Sequence, residues 1–596
     1  MRRKRKPVLL MLVVLFLLTG LPAHAAEVCV NDAAALQAAL DTAESNGEND
    51  IIRIVQGTYN GVFSFYSADT EAGYNLTLLG GYAAGCGSRV IDASNTILDG
   101  GGSGSALYLY SYSSAVCGDI VVEGLGFRNG DGGHSSGGLY AYLQSSSASG
   151  GAITVRKCAF TNNVGIYAGA AYLYSGSGAG TGGDITITEN TATGNTGYDG
   201  YGAMYLHSDG SSDASSGAIT VSKNNFSENL SYDRAGAIGA STYANTGAAG
   251  NIVFSENTIT DNLSYGDAGG VYVNTYSSSG EPGHVTLSRN TVTGNTNYYG
   301  RGGGIYVSAA SESGTAGGNI LLEKNTVSGN TSYSDAGGVY VFSNSSTGIS
   351  GEITLVENMI SGNYAYDNGG GVYIYGYCYS TGSLGAVTLS SNTIQGNTAY
   401  EYYGGVYVYS YSSSGSASDV ILVNNIIAKN KVSKGGTGGV RVHSGTDTGT
   451  PGDITMTNNT IAENISVFSP AGAEFYLGNN TLNIYNNIIR GNAASSSPSD
   501  LTFYSYSGTL TANGFNNIVS AVDGTWTSSG GNIDTDPLFV NAAGGNYHIL
   551  ATSPCRNAGL ATAPEVPKRD FEGQLRMQVD IGADEYPQAN LTGIPL

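Results

Sequence analysis

Charge is what this sequence is shortest of. Charged residues fill 12% of its 596 positions, about half the roughly 25% usual in soluble proteins. Cations are the scarcer sign: 24 Lys and Arg stand against 46 Asp and Glu, a formal charge of −22. That excludes the basic surface that nucleic acid or an anionic membrane would need. The six histidines include His134, His207, His284 and His548, scattered with no metal-gathering spacing. The six cysteines contain no CxxC pair, so the usual zinc and redox motifs are missing. No Gly-rich run has the strand–helix context of a phosphate loop. In place of charge there are 90 Gly and 43 Tyr, with abundant Ser, Thr and Asn.

Residues 1–25 read as a signal peptide. Arg2 to Lys6 are five basic residues, Val8 to Leu18 an apolar core, and Ala23-His24-Ala25 a small-x-small cleavage site. Cleavage there leaves a chain of charge −27 starting at Ala26. The expected location is secreted or cell surface, with no transmembrane segment in the mature chain. That compartment is oxidising, and pairs spanning one or two repeats are favoured: Cys29–Cys86 and Cys117–Cys158. Cys378 and Cys555 are far apart in sequence and are left open.

One phrase organises the middle of the chain: Asn, four residues, Asn. It occurs ten times, from Asn190/Asn195 to Asn487/Asn492, at steps of 33 to 35 residues and finally 28. A fixed period of this size marks a solenoid. Within residues 385–419, Val387 to Leu389, the stretch around Ile394, and Gly404 to Val408 each alternate as strands, and Ser410 to Ser418 loops back. The fold class is therefore all-β, a right-handed parallel β-helix with three strands per ~34-residue coil. Two residues after each first Asn runs an apolar column: Ala192, Phe226, Ile259, Val292, Val327, Ile360, Ile394, Ile427, Ile461 and Ile489. Roughly 13 coils at about 4.8 Å make a rod about 60 Å long. The divisions expected are an N-terminal cap over 26–74, the β-helix over 75–530, a C-terminal capping segment over 531–587 and a tail over 588–596. The cap includes a helix begun by Asn31 or Asp32 with Ala35, Leu36, Ala39 and Leu40 on one face.

Phe160-Thr-Asn-Asn163 and Phe226-Ser-Glu-Asn229, with Ala235-Gly-Ala-Ile238, resemble the FxxN and GGA[ILV] motifs of polymorphic outer membrane protein repeats. Asp536-Pro-Leu-Phe with Asp580-Ile-Gly-Ala resembles the C-terminal module of bacterial secreted β-helix proteins of the choice-of-anchor Q type. Nearly all of the mature chain is similar to the pectin-lyase-like β-helix class. The resemblance implies a secreted or cell-surface bacterial protein. The chain departs from the outer-membrane proteins in showing no autotransporter barrel.

In a β-helix every repeat position becomes a column. The Asn columns read as structural ladders of side-chain amides. A tyrosine column follows the second Asn: Tyr198, Tyr232, Tyr265, Tyr298, Tyr333, Tyr366 and Tyr400. A second comprises Tyr205, Tyr272, Tyr306, Tyr340, Tyr373 and Tyr407. Alternation with the inward Val339 and Val341 sends Tyr340 outward. Rows of exposed rings suit sugars, and they equally stabilise a sheet face. An acidic column, Asp199, Asp233, Asp267, Asp335, Asp367 and Glu401, is either solvated charge or a Ca²⁺ ladder. No other cofactor is implied. Arg441 and His443, with Asp447 in the next loop and Lys434 before them, interrupt the tyrosines and are the best catalytic candidates. The expectation is adhesion, or binding of a polysaccharide or cell-surface glycan, through the tyrosine columns. The alternative is a carbohydrate-active enzyme, a polysaccharide lyase before a glycoside hydrolase. A threonine row (Thr186, Thr286, Thr354, Thr388) that could order ice or mineral is broken at Val253, Leu321 and Ile421.

Overall fold

The computed structural model describes residues 26–69, 72–133, 135–313, 317–467, 470–495 and 500–587. The segment 1–25 that reads as a signal peptide, the expected tail over 588–596 and His134 lie outside these residues.

The chain is a parallel β-solenoid. Each central coil contributes a four-residue strand to sheet I, such as Ile353–Val356, and a three-residue strand to sheet II, such as Met359–Ser361. A two-residue strand, Tyr364–Ala365, joins sheet III, and a seven-residue strand, Val372–Cys378, joins sheet IV. The two-residue strand is too short to leave an alternation in the sequence. Each strand pairs in parallel with its equivalent one coil on, as in Val339↔Val372 and Ile353↔Val387. Sheets II and IV hold 15 strands each. The apolar column from Ala192 to Ile489 is wholly buried, as its spacing required.

The Asn phrase is the internal frame. Along its second column, each backbone N–H and side-chain amide donates to the Oδ1 of the next coil's Asn. Asn330 gives both bonds to Asn363 at 3.0 Å, and Asn363 gives both to Asn397 at 3.0 and 2.9 Å. The second Nδ2 hydrogen of Asn363 reaches back to the carbonyl of Val327 (3.0 Å). These asparagines need no solvent, because every donor has a partner in the neighbouring coils. The first column continues past Asn487 through Asn517 and Asn532, where the coil shortens and the spacing no longer shows it. The second ends on Asp500, whose carboxylate accepts both bonds of Asn492.

The N-terminal helix α1, Ala33–Ala43, has Asp32 as its N-cap, accepting from the N–H of Ala35 at 2.8 Å. Its buried face is Leu36, Ala39, Leu40 and Ala43. Gln37 exchanges two hydrogen bonds with the backbone of Ser64, fixing the helix on the first coil. That coil starts earlier than the repeats suggest. Asp50–Val55, Gly57–Asn60 and Phe63–Ala68 already pair with Leu76–Tyr82, Thr96–Asp99 and Leu107–Ser113. At the other end Leu501–Ser505 and Thr511–Phe515 are true strands of sheets IV and I. Trp526, the single tryptophan, packs on Phe503 at 4.6 Å across the end of the core.

The segment 531–587 is placed differently from the expected end cap. It runs along the flank of the last coils: Tyr547 and Ala583 pack on Ile426, Ala428 and Ala462, and Ile549, Cys555 and Ile581 on Ile488 and Ile518. A column of left-handed residues in the turn between sheets I and II explains where it docks. Lys157, Glu189, Lys223, Glu256, Arg289, Lys324 and Glu357 take φ of 53 to 57°, and Asn424, Asn458, Asn486 and Asn516 take 54 to 60°. Six of the seven charged members pair with the next coil: Lys157 with Glu189 and Lys223 with Glu256 at 4.0 Å, and Lys324 with Glu357 at 3.6 Å. The asparagines, which tolerate this conformation well, bond the segment's backbone instead. Asn458 donates to the carbonyls of Asp580 and Gly582 (2.8 and 3.1 Å), Asn516 to that of Ala558 (2.9 Å), and Asn486 both donates to and accepts from Leu560.

Cys29 and Cys86 form the expected disulfide across 57 residues. The second expected pair is absent: Cys117 and Cys158 are buried free thiols. Cys117 precedes the sheet I strand Ile120–Glu123, whereas Cys158 follows the paired strand Ile153–Arg156, so the two lie at opposite ends of sheet I strands. Closing a loop of this length removes about 4 kcal/mol of unfolded-chain entropy. Cys29→Ser with Cys86→Ser is therefore expected to destabilise the α1 end by up to about 4 kcal/mol. Hydrogen exchange across 26–60 measures it, and thiol titration of the denatured wild type should count four reactive cysteines.

Candidate functional site: the outer face of sheet IV

Sheet IV strands are long enough to present three outward side chains each. In Val372–Cys378, Val372 and Ile374 enter the core, and Tyr373, Tyr375 and Tyr377 face away. The register extends the predicted Tyr205–Tyr407 column back through Tyr172, Tyr140 and Tyr108. It also reveals two further columns. One holds Tyr110, Tyr142, Tyr174, Phe342, Tyr375 and Tyr409; the other holds Tyr112, Tyr243, Tyr276, Tyr377 and Tyr411. The signal for them was the same alternation, read two and four residues further along each strand.

Outward direction did not mean exposure. Tyr340, Tyr373 and Tyr407 are 2, 9 and 8% exposed, and Tyr205, Tyr272 and Tyr306 are half-buried. The turn before each strand folds over them: Ala336 packs into the cluster, and the Tyr403 ring lies 4.1 Å from that of Tyr407. Burial pushes the Tyr205 hydroxyl up to about 12, partly offset by Arg234. This column is covered packing, not an open sugar surface.

The other predicted column is open, but its geometry is also informative. Tyr198, Tyr232, Tyr265, Tyr298 and Tyr333 stack at 5.0 to 5.5 Å with planes within 26°. Tyr366 and Tyr400 form a second stack at 5.0 Å. The inner rings Tyr232, Tyr265 and Tyr298 have both faces occupied by neighbours and offer edges and hydroxyls to solvent; the end rings Tyr198, Tyr333, Tyr366 and Tyr400 have one stacked face each. A pyranose needs a free ring face to stack on.

The acidic column is interleaved with cations. Asp233 lies 3.5 Å from Arg234, Asp335 3.6 Å from Arg301, and Glu401 2.5 Å from Lys434. Asp267 accepts from the backbone of Arg301, and Asp335 from Asn368. Burial, then Asp199 and Asp267 against the opposing Arg234, raises the Asp233 pKa; burial and then Asp335 and Glu401 raise that of Asp367. Asp199 belongs to the same set of neighbours. Among the described residues, the group of three ligand-type side chains that converges within 4.8 Å is elsewhere: His548, Glu572 and Asp584. There Asp584 and Glu572 lie against opposite nitrogens of the ring, at 2.8 and 3.3 Å.

The coil that interrupts the tyrosines is where the face changes character. Arg441 takes the place of a tyrosine below Tyr407. Its guanidinium lies over the rings of Tyr403 (5.2 Å) and Tyr476 (5.5 Å) and bonds Glu474 at 2.5 Å. His443 sits edge-on between Tyr409 and Tyr476, both at 4.8 Å with planes at 81° and 70°. Burial and then Arg441 push its pKa down to about 4. At neutral pH it is therefore uncharged and a weak base. Lys434 is turned to Glu401 and takes no part. Asp447 accepts from the Tyr411 hydroxyl. It also lines a groove of about 410 Å³ with Thr446, Thr448, Asn479, Ser507 and Thr509. Tyr506 reaches across the sheet here because position 445 is glycine; a Cβ there would stand 1.8 Å from its hydroxyl. Two coils before Asp447, Tyr379 is 69% exposed and meets Tyr377 at 4.4 Å and 61°.

The chain matches no protein-family model and none of the curated proteins compared with it. No helix among the described residues is long and apolar enough to cross a membrane.

Proposed function

We propose that this protein is a secreted, rod-shaped glycan-binding protein of bacterial surfaces, belonging to the pectin-lyase-like class that its repeat and C-terminal motifs resemble. The reading rests on the signal-peptide pattern, the acidic and hydroxyl-rich composition, and above all one observation. Tyr379, which is highly exposed, meets Tyr377 edge-on rather than stacked, and the half-buried Tyr411, lying along Tyr377 at 5.8 Å, is bonded to Asp447 in a groove of hydroxyl, amide and carboxylate groups. Ring faces plus convergent polar groups are the usual recipe for holding a sugar. Catalysis is the weaker reading, because Arg441 is committed to Glu474 and His443 is a poor base. The test is a glycan array with and without Ca²⁺, run on the wild type and on Tyr379→Ala with Tyr411→Ala. Retention is expected to fall about tenfold or more in the double variant, on the scale of losing two stacking contacts. The covered Tyr340→Phe should bind as the wild type does. Equal retention by both variants would exclude this site. Release of unsaturated sugars by the wild type would favour a lyase instead.

A further inference from the structure

The groove beside Tyr411 also carries information about what kind of glycan fits it. This inference rests on the proposed glycan-binding reading and narrows its ligand. We infer that the site takes a neutral polysaccharide bearing vicinal hydroxyls and rejects uronic-acid or sulfated polymers.

The first observation is the charge of the lining. Thr446, Asp447, Thr448, Asn479, Ser507 and Thr509 bring hydroxyls, one amide and one carboxylate, and no cation. The cations nearby are already taken. Arg441 is paired with Glu474, itself 5% exposed, and Lys434 with Glu401. His443 is uncharged near neutrality. A ligand carboxylate or sulfate would enter beside Asp447 with nothing of opposite sign to meet it. The chain's formal charge of −22 adds a long-range field of the same sign.

The second observation is the state of Asp447. It is exposed, and one oxygen, Oδ1, accepts from the Tyr411 hydroxyl, which orients the group beside a ring. The remaining acceptor capacity of the carboxylate faces a groove of hydroxyls. A carboxylate is an acceptor only, so its natural partner is a donor pair such as adjacent sugar hydroxyls. Asn479, Ser507 and Thr509 can both donate and accept around them.

The third observation is extent. Tyr379, Tyr411, Asp447, Asn479 and Ser507 come from five successive coils, so the site runs along the rod for about 19 Å at the inter-strand spacing, or about four pyranose units. Affinity should therefore rise with oligosaccharide length and level off near that size.

The experiment is calorimetric titration of the full secreted chain with two hexasaccharides of matched linkage, one neutral and one of uronic acid, at low and high salt. The neutral probe is expected to bind in both salts, and Asp447→Asn to weaken it about tenfold, the value of a charge-assisted hydrogen bond. The uronic probe is expected to bind at least about tenfold less tightly, and to gain in Asp447→Asn and in high salt as repulsion is removed. Uronic binding equal to or tighter than neutral binding, lost in Tyr379→Ala with Tyr411→Ala, would overturn the neutral-ligand inference and leave the glycan-binding site standing. Binding of either probe that ignores both tyrosines, or no binding of either, would overturn the site and the inference together.

Discussion

Asn363→Ala is expected to lower the unfolding free energy by about 3–5 kcal/mol, among the largest losses available to one side chain here. The side chain is 1% exposed and makes four hydrogen bonds. Alanine removes all four, leaves the N–H and one amide hydrogen of Asn330 without partners, and takes one bond each from the Val327 carbonyl and the Asn397 acceptor. Each orphaned buried group costs about 1–3 kcal/mol, since water cannot reach it. The estimate stays below the full sum because the coil can relax around a small void. Asn363→Asp should do no better: it keeps the acceptor, loses both donors and buries a charge. By contrast Tyr366→Ala, on the exposed ladder, should cost no more than about 1 kcal/mol. Urea unfolding followed by far-UV circular dichroism reads the difference. Hydrogen exchange should show the loosening centred on the coils of Asn330 and Asn397, because a solenoid's coils contact only their neighbours. An Asn363→Ala protein as stable as Tyr366→Ala would refute the ladder as the frame of the rod.

That frame is also why the fold could be read from the sequence while much of the site could not. The Asn step aligned the apolar column from Ala192 to Ile489, and strand alternation around Val339 and Val341 gave the outward direction of Tyr340. Both are local, periodic signals. Whether Tyr340 is exposed depends on how the turn at Ala336 folds over it, which is not periodic. The first coil, with Ile52, Ile54, Phe63 and Phe65 buried, lacks the Asn phrase, so nothing periodic in its sequence separates it from a cap. Cys117 and Cys158 are 41 residues apart in the chain but separated in space by the length of a sheet I strand. The docked position of 531–587 rests on contacts such as Asn458 to Asp580, 122 residues apart, made to backbone carbonyls that any sequence supplies. What the sequence did hold was the switch from charged residues to asparagines at Asn424, Asn458, Asn486 and Asn516. Its meaning became visible only with the partner strand beside it.

Arg576→Met is expected to release this C-terminal segment from the rod. The Arg576 side chain is 1% exposed; it ties the segment's own turns together and reaches the solenoid through one bond. It bonds Glu585 at 3.0 Å, the carbonyls of Gly582 and Ala583 at 2.9 and 2.8 Å, and Oδ1 of Asn424 on the coil at 2.9 Å. One guanidinium serves three buried acids, Asp570, Asp580 and Glu585. Burial raises all three pKa values, and pushes Glu585 up to about 7 with a further contribution from Asp580; burial also lowers that of Arg576, against the pull of the acids. Desolvation thus outweighs pairing on both sides, and a proton on Glu585 relieves the excess negative charge. Methionine would leave those acids with no buried cation, a loss of about 3–5 kcal/mol. The same balance gives a pH dependence. A folded pKa above the ordinary 4.5 means stability fully present below that value and lost as pH rises through about 7. His548 acts in the same direction: burial lowers its pKa, but Asp584 and Glu572 outweigh it and the net shift is upward. Limited proteolysis of the wild type should cut within 550–587 faster as pH rises from 4.5 through 7, and Glu585→Gln should flatten much of that dependence. Arg576→Met should be cut readily throughout, with the β-sheet circular dichroism of the solenoid retained. Wild-type protection in Arg576→Met would show that the apolar contacts of Tyr547, Ile549 and Ile581 hold the segment without the charge cluster.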